Sequence, residues 1–216
     1  MKINILLDTP DSFLHDFLPD LIDKLTNRGH EVCFCKDHRK IKKGDMLFLL
    51  ACKTVLKKEH LALNTNNLVI HPSKLPEGRG SAALVWKILE GGNEIFITLF
   101  EANEKIDRGD IYFQESIRFE GHELSDEIRN IQGRKTVELV LQFVEQYPDI
   151  KAVKQTGKGS FYPKRNPDHS RLDLDKTIRD QFELLRVVDN ARYPAFFEFR
   201  RHKYIIKIFK DDRKVE

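Results

Sequence analysis

The chain opens on a short apolar run, Ile3 to Leu7, bounded by Lys2 and Asp8, which is the length of one buried strand. Beyond it Phe13, Phe17, Leu18, Leu21, Ile22 and Leu25 recur at three- and four-residue intervals, the spacing of one helical face. Asp11-Ser12 offers that helix a cap and Gly29 an end. Val32–Cys35 predicts a second strand. Strand, helix and strand within the first 35 residues make a βαβ unit, which implies a parallel sheet with right-handed crossovers.

The same patterns predict strands over Met46–Ala51 and Asn67–Ile70, with a helical turn at Leu56–Leu61 between them. A helix over Ser81–Glu90, closed by Gly91-Gly92, leads to strands over Phe96–Phe100 and Ile111–Ile117. Ile128, Ile131, Val137, Leu139, Val140, Phe143 and Val144 mark a helix from Asp126 to about Glu145. After Tyr147-Pro148 the texture changes: residues 151–171 are polar, basic and rich in turn formers. Thr177–Val188 resumes a helical period, and Phe196–Phe199 and Tyr204–Phe209 read as a hairpin turned by Arg200–Lys203. The expectation is an α/β body over residues 1–150, a mainly parallel twisted sheet flanked by helices. A C-terminal tail over 151–216, hairpin included, would pack on it. Whether the hairpin serves a homodimer or packs only on its own body stays open.

Charge and cysteines narrow the function classes. The net charge of +3 is spread along the chain, with no stripe of the kind a nucleic-acid binder shows, so a nucleic-acid partner is not expected. The first apolar run is too short for a signal peptide, and no run approaches the roughly 18 apolar residues of a membrane span. A cytoplasmic protein is the expectation. Cys33 and Cys35 share a strand face, and neither they nor Cys52 have further ligands at metal-binding spacing. They read as reduced, buried thiols, and no metal is expected.

One stretch stands apart: His71-Pro-Ser-Lys-Leu-Pro-Glu-Gly-Arg-Gly80, directly after Leu68-Val69-Ile70. His71 falls at the carboxyl end of a strand, where open α/β sheets hold ligands. A lone histidine there commonly just closes a turn. A carboxyl-rich loop, Glu101 to Asp110, follows the next strand and is expected to open onto the same edge, with Gly109 two residues after Asp107 suiting a tight turn. A histidine beside an aspartate is a general acid/base arrangement.

Four ordered motifs now come together: the 71–80 segment, Trp86-Lys-Ile-Leu-Glu-Gly-Gly92, Ile97-Thr-Leu-Phe100 and Ile106-Asp-Arg-Gly-Asp-Ile111. This set resembles the core signature of the 10-formyltetrahydrofolate-dependent formyltransferases. The likeness covers about residues 46–145 and extends more loosely into Ser160–Arg165 and Leu185–Phe196. It implies a Rossmann-like body and direct transfer of a formyl group to a primary amine, with 10-formyltetrahydrofolate as co-substrate. On this likeness His71 would assist proton transfer and Asp107 would orient and support it. Backbone groups of Cys52, Lys53 and Val55 would cradle the pterin, facing Asn103 and Ile106.

Two departures matter. The family usually has an asparagine two residues before the histidine, helping to hold the formyl oxygen; here that residue is Val69. Asn67 shares the face of Val69 but lies about 13 Å from His71 along an extended strand, and would substitute only if a bulge shortened the strand. The link Lys36–Asp45 is also short. In that abbreviation the chain is similar to the small nucleotide-sugar N-formyltransferases of pseudaminic-acid-type pathways. An amino-deoxy sugar on a nucleotide is then the expected acceptor. Lys74 and Arg79 on one side, and Tyr162, Lys164 and Arg165 on the other, are the candidates to hold its sugar and diphosphate. The alternatives are another amine (glycinamide ribonucleotide, methionyl-tRNA or a carrier-bound peptide) or a catalytically silent member that binds folate or nucleotide. The glycine-free Asp8-Thr9-Pro10-Asp11-Ser12 loop speaks against the ribonucleotide, and the end of the sequence at residue 216 against the tRNA.

Overall fold

The computed structural model describes residues 1–211, so the last five residues of the expected tail lie outside the described residues. The chain forms β1 (Lys2–Leu6), α1 (Leu18–Asn27), β2 (Glu31–Cys35), β3 (Gly44–Leu49), α2 (Lys58–Leu61) and β4 (Asn64–His71). There follow β5 (Arg79–Gly80), α3 (Ala83–Leu89), β6 (Glu94–Glu101), β7 (Ile111–Arg118) and α4 (Ser125–Gln146). The tail adds β8 (Phe161–Tyr162), α5 (Phe182–Val187), β9 (Ala195–Phe199) and β10 (His202–Ile206). Ser12 caps the entry to the first helical segment, its Oγ accepting from Leu14 N. That entry is a 3-10 turn over Phe13–Phe17, and the α-helix starts only at Leu18, with Pro19 in its first turn.

Among the described residues, the main sheet has the order β2-β1-β3-β4-β6-β7. The first four strands are parallel, as the βαβ pattern requires, but β6 runs antiparallel to β4 and β7 antiparallel to β6. His71 pairs with Thr98 and Leu68 with Glu101, so the C-terminal end of β6 lies toward the start of β4. The loop after β6 therefore does not emerge beside His71 through strand direction, contrary to expectation. Glu101 pairs with Leu68, and the 102–110 loop folds back to reach His71.

The alternation of side chains splits the core in two. Ile3, Ile5, Leu7, Met46, Phe48 and Leu68 face the layer of α1, α3 and α4. Leu6, Cys35, Leu47 and Leu49 face the other way with Leu56, and Cys33, Cys52, Val69 and Ala102 pack against them. All three cysteines are free thiols, and burial together with the neighbouring Cys33 pushes Cys35 up to about 11.

The tail is tied to the body by charge as well as by packing. Arg186 has no exposed surface; it donates to Glu123 O (3.1 Å), Glu123 Oε2 (3.2 Å), Asn93 Oδ1 (2.8 Å) and Glu183 Oε2 (2.8 Å). Asp189 accepts from Arg129 and Arg192. The hairpin of β9 and β10 turns through Arg200-Arg201, both at positive φ (48° and 68°), so its turn is two residues shorter than expected. Among the described residues, no helix is long and apolar enough to cross a membrane.

Candidate active site

β4 lies inside the sheet, hydrogen-bonded on both edges, and gives His71 a rigid seat. The imidazole is buried, at 10% exposure. Its Nε2 lies 2.8 Å from Gly78 O, which can only accept, so Nε2 carries a proton, and a neutral ring in that tautomer has Nδ1 as its acceptor. Asp107 Oδ2 stands 3.9 Å from the same Nε2.

Asp107 is held at both ends. Its Oδ2 accepts from Gly80 N at 2.8 Å, and its backbone carbonyl accepts from Arg79 Nε and Gln155 Nε2, each at 3.0 Å. The residue sits in the left-handed region at φ 53°. Two glycines make this approach achievable. A Cβ on Gly80 (φ +101°) would come within 2.4 Å of Tyr162 O, and one on Gly109 within 1.5 Å of Glu101 O. Glu101 anchors the root of the loop, its carboxylate accepting from Asn67 N (2.6 Å), Asn66 Nδ2 (3.1 Å) and the Tyr112 hydroxyl (3.0 Å). Burial raises this carboxyl above its ordinary value against those hydrogen bonds. The 71–80 loop is fixed by Ser160, whose Oγ accepts from Gly78 N, and by Thr98, whose Oγ1 donates to Ser73 O.

β4 pairs continuously with β3 over 66–69 and with β6 over 68–71, with no bulge to shorten it. Asn67 stays remote from His71, and its Nδ2 donates to Leu61 O. Val69 therefore stands alone on that face before His71, packed in the Leu47–Leu56 group with Cys52 and Ala102.

The expected pterin loop lies on this same face. Asp8 takes the backbone N–H groups of Lys53 (2.7 Å) and Thr54 (3.1 Å), so Lys53 N is already committed. Cys52 Sγ donates to Leu6 O, and burial pushes the thiol up to about 12. Val55 and Ile106 leave apolar side chains in solvent, at 51% and 54% exposure. Asn103 Oδ1 accepts from Lys105 N.

The expected acceptor residues divide. Arg79 is brought to Asp107, and Lys74 lies with its Nζ 4.7 Å above the Phe96 ring. Of the other three, Tyr162 borders the His71 loop at Gly78 and Gly80, while Lys164 and Arg165 make no hydrogen bond to it among the described residues. Tyr162 stacks on Trp86 and donates its hydroxyl to Glu90 at 2.8 Å. Arg165 turns into its own 166–170 turn, donating to His169 O at 3.1 Å, with burial acting against its charge. Lys164 is exposed. Asn166-Pro167 reverse the chain there, which aims Arg165 inward. Gln155 and Ser160 are the positioning residues the sequence reading misses; each sits in a polar run with no chemical signature.

Two clefts open nearby on the surface. One of about 780 Å³ lies at the end of β1 and is lined by no residue of the pair or of its two loops. The other, of about 360 Å³, lies against the Asp107 loop and includes Arg79, Asn103 and Gln155. No group of three or more His, Cys, Asp or Glu among the described residues could hold a metal ion.

A buried histidine beside an aspartate at a strand end of an α/β sheet is an arrangement that can carry proton-transfer chemistry. Residues 23–142 match the Formyl transferase family, and the chain belongs to it. The methionyl-tRNA formyltransferase of Clostridioides difficile is 27% identical over 150 residues, 67% of this chain and 48% of its own length. The chain thus spans about half the length of the curated relatives it matches. Among solved structures, methionyl-tRNA formyltransferase from Clostridium thermocellum superposes with a TM-score of 0.82 at 17% identity, covering 99% of this chain and 95% of that one. A sugar N-formyltransferase from a Shewanella species gives 0.74 at 19%, covering 99% of both chains. HypX from Aquifex aeolicus in complex with tetrahydrofolic acid gives 0.80 at 24%, covering 96% of this chain and 37% of that one. At these identities the structural likeness speaks for the fold.

Proposed function

We propose that the chain transfers the formyl group of 10-formyltetrahydrofolate to the primary amine of a nucleotide-linked amino-deoxy sugar. The observation that carries this reading is the buried His71, 3.9 Å from a carboxylate that Gly80 N holds in place on a residue whose backbone carbonyl Gln155 clamps, inside a family-matched segment. The residues on the β4 face fit a pterin: Val55 and Ile106 offer apolar surface that a planar ring would cover, beside the half-buried Cys52. Bound there, the co-substrate supplies an activated formyl group. As the amine bonds to the formyl carbon, His71 Nδ1 takes the proton the amine loses and the Asp107 carboxylate stabilises the imidazolium, which then returns that proton to the folate nitrogen as its bond to the formyl carbon breaks. Burial of both side chains, at 10% and 11% exposure, keeps water from screening that pair.

The sugar acceptor is supported by the short link before β3; the fold likeness runs to sugar N-formyltransferases and to a methionyl-tRNA formyltransferase alike. Methionyl-tRNA is the second reading, favoured by the curated relatives. Against it stand the modest charge of +3 and the absence of a basic stripe in the sequence. The test is turnover with 10-formyltetrahydrofolate and separate acceptors: a panel of nucleotide-linked amino sugars, methionyl-tRNA and glycinamide ribonucleotide. Formylation of one amino sugar above all others supports the reading. Preference for methionyl-tRNA overturns the acceptor, and binding without any turnover makes the protein a silent family member.

A further inference from the structure

We infer that the smaller cleft, against the back of Asp107, is a binding site for a polyanion: the diphosphate or the γ-linked glutamate tail of one of the two substrates. Arg79, Lys105, Arg108 and Lys154 line it, with Asp110 as the single carboxylate among its lining residues. Four cations against one anion leave an excess that one monovalent ion does not match. Arg79 is a fixed charge, because its Nε and Nη2 are committed to the neutral acceptors Asp107 O and Gln155 Oε1 (2.7 Å). The walls are equally set. Val153 pairs with Ile111 next to Lys154, and Gln155 Nε2 reaches Gly109 O at 2.8 Å. Lys105, Arg108 and Lys154 remain exposed and can close around a ligand.

The larger cleft is a poor alternative for such a ligand. It carries Asp8, Asp11, Asp16 and Asp189 against Lys36, Arg129 and Arg192, with both arginines paired to Asp189, so its balance is one negative charge. A chain of phosphates or carboxylates would be repelled there and attracted at the smaller cleft. At about 360 Å³ the smaller cleft accommodates a diphosphate or two to three carboxylates. The same 102–110 loop carries Asp107 toward His71 and Lys105 and Arg108 into the cleft, so an anchored polyanion would lie next to the acid–base pair. The cleft's charge is independent of the proposed activity; only the two named sources of the anion rest on that reading.

The test is titration calorimetry of the whole chain and of an Arg108→Glu/Lys154→Glu variant, at low salt. The probes are inorganic tripolyphosphate, uridine and thymidine diphosphates, and tetrahydrofolate as mono- and pentaglutamate. Circular dichroism checks that the variant folds. Tripolyphosphate should bind the wild type and lose at least about tenfold in affinity on charge reversal, with added salt weakening the wild type in the same direction. Tighter binding of pentaglutamate than monoglutamate, lost in the variant, assigns the site to the folate tail. A loss confined to the nucleoside diphosphates assigns it to the acceptor. Tripolyphosphate affinity untouched by the charge reversal, or no loss for either substrate-derived probe, overturns the inference. Failure of tetrahydrofolate monoglutamate to bind the wild type removes the folate reading while the tripolyphosphate and nucleotide arms still decide the cleft.

Discussion

Replacing Asp107 with asparagine separates its charge from its geometry. Asparagine tolerates the left-handed φ of 53°, and its amide oxygen can still accept from Gly80 N. The backbone carbonyl remains clamped by Arg79 and Gln155. What disappears is a full negative charge 3.9 Å from Nε2 of a buried imidazole. At an effective dielectric of about 20 that charge stabilises an imidazolium by about 4 kcal/mol. If His71 becomes cationic as it takes the amine proton, Asp107→Asn should lower kcat by about 10²- to 10³-fold. Thermal stability should change little. Asp107→Ala is the matching control: it loses charge and anchor and places alanine at positive φ, so it should also destabilise, by about 1–2 kcal/mol. Steady-state release of tetrahydrofolate, with melting curves on the same preparations, makes the comparison. Turnover of Asp107→Asn within about threefold of wild type would refute the reasoning, because charge would then have no part in the step.

Other consequences are equally measurable. Arg186→Met should cost about 3–5 kcal/mol in denaturant unfolding, because the buried Glu123 carboxylate loses its cation; a cost under 1 kcal/mol would contradict the clamp. Asp189 is held well below the usual carboxylate range. Burial alone would raise it, but backbone N–H groups of Ala191 and Arg192 and the guanidiniums of Arg129 and Arg192 outweigh that. A depressed folded-state value stabilises above the unfolded pKa of about 3.9, so this contribution should fade as pH drops below about 4. Melting temperature against pH, compared with Asp189→Asn, checks it, since the variant should lack that acid-labile component. Val69→Asn places an amide donor on the face of His71 and should raise kcat by about tenfold or more if a side-chain donor to the formyl oxygen is what the chain lacks. Unchanged turnover in a folded Val69→Asn would show that the oxygen is held by other groups.

The sheet was largely legible because short apolar runs and period-two alternation are local signals: β1 to β4 follow from Ile3, Val32, Met46 and Leu68 and their neighbours. The direction of β6 was not, since its pairing with β4 forms only after the chain has passed through the 72–93 connection, and no local pattern records it. His71 and Asp107 were legible from residue type, strand end and motif. Their supports were not. Gln155 acts on a residue 48 positions away, and Arg186 on Glu123, 63 positions away, and neither side chain announces a distant partner. The cluster Tyr162-Pro163-Lys164-Arg165 was less legible for a related reason: its composition suits a ligand and an internal packing motif equally, and the structure gives Tyr162 a stack on Trp86 and Arg165 a bond to His169 O while Lys164 stays exposed.

Formyl transfer itself remains the most direct question. Wild type and His71→Ala should be incubated with 10-formyltetrahydrofolate and the panel of nucleotide-linked amino sugars, with tetrahydrofolate and N-formylated product both quantified. The wild type should formylate one of these amines, and His71→Ala should lower kcat by about 10²-fold or more with acceptor KM largely kept. Near-normal turnover by a folded His71→Ala would contradict the acid–base role of this histidine.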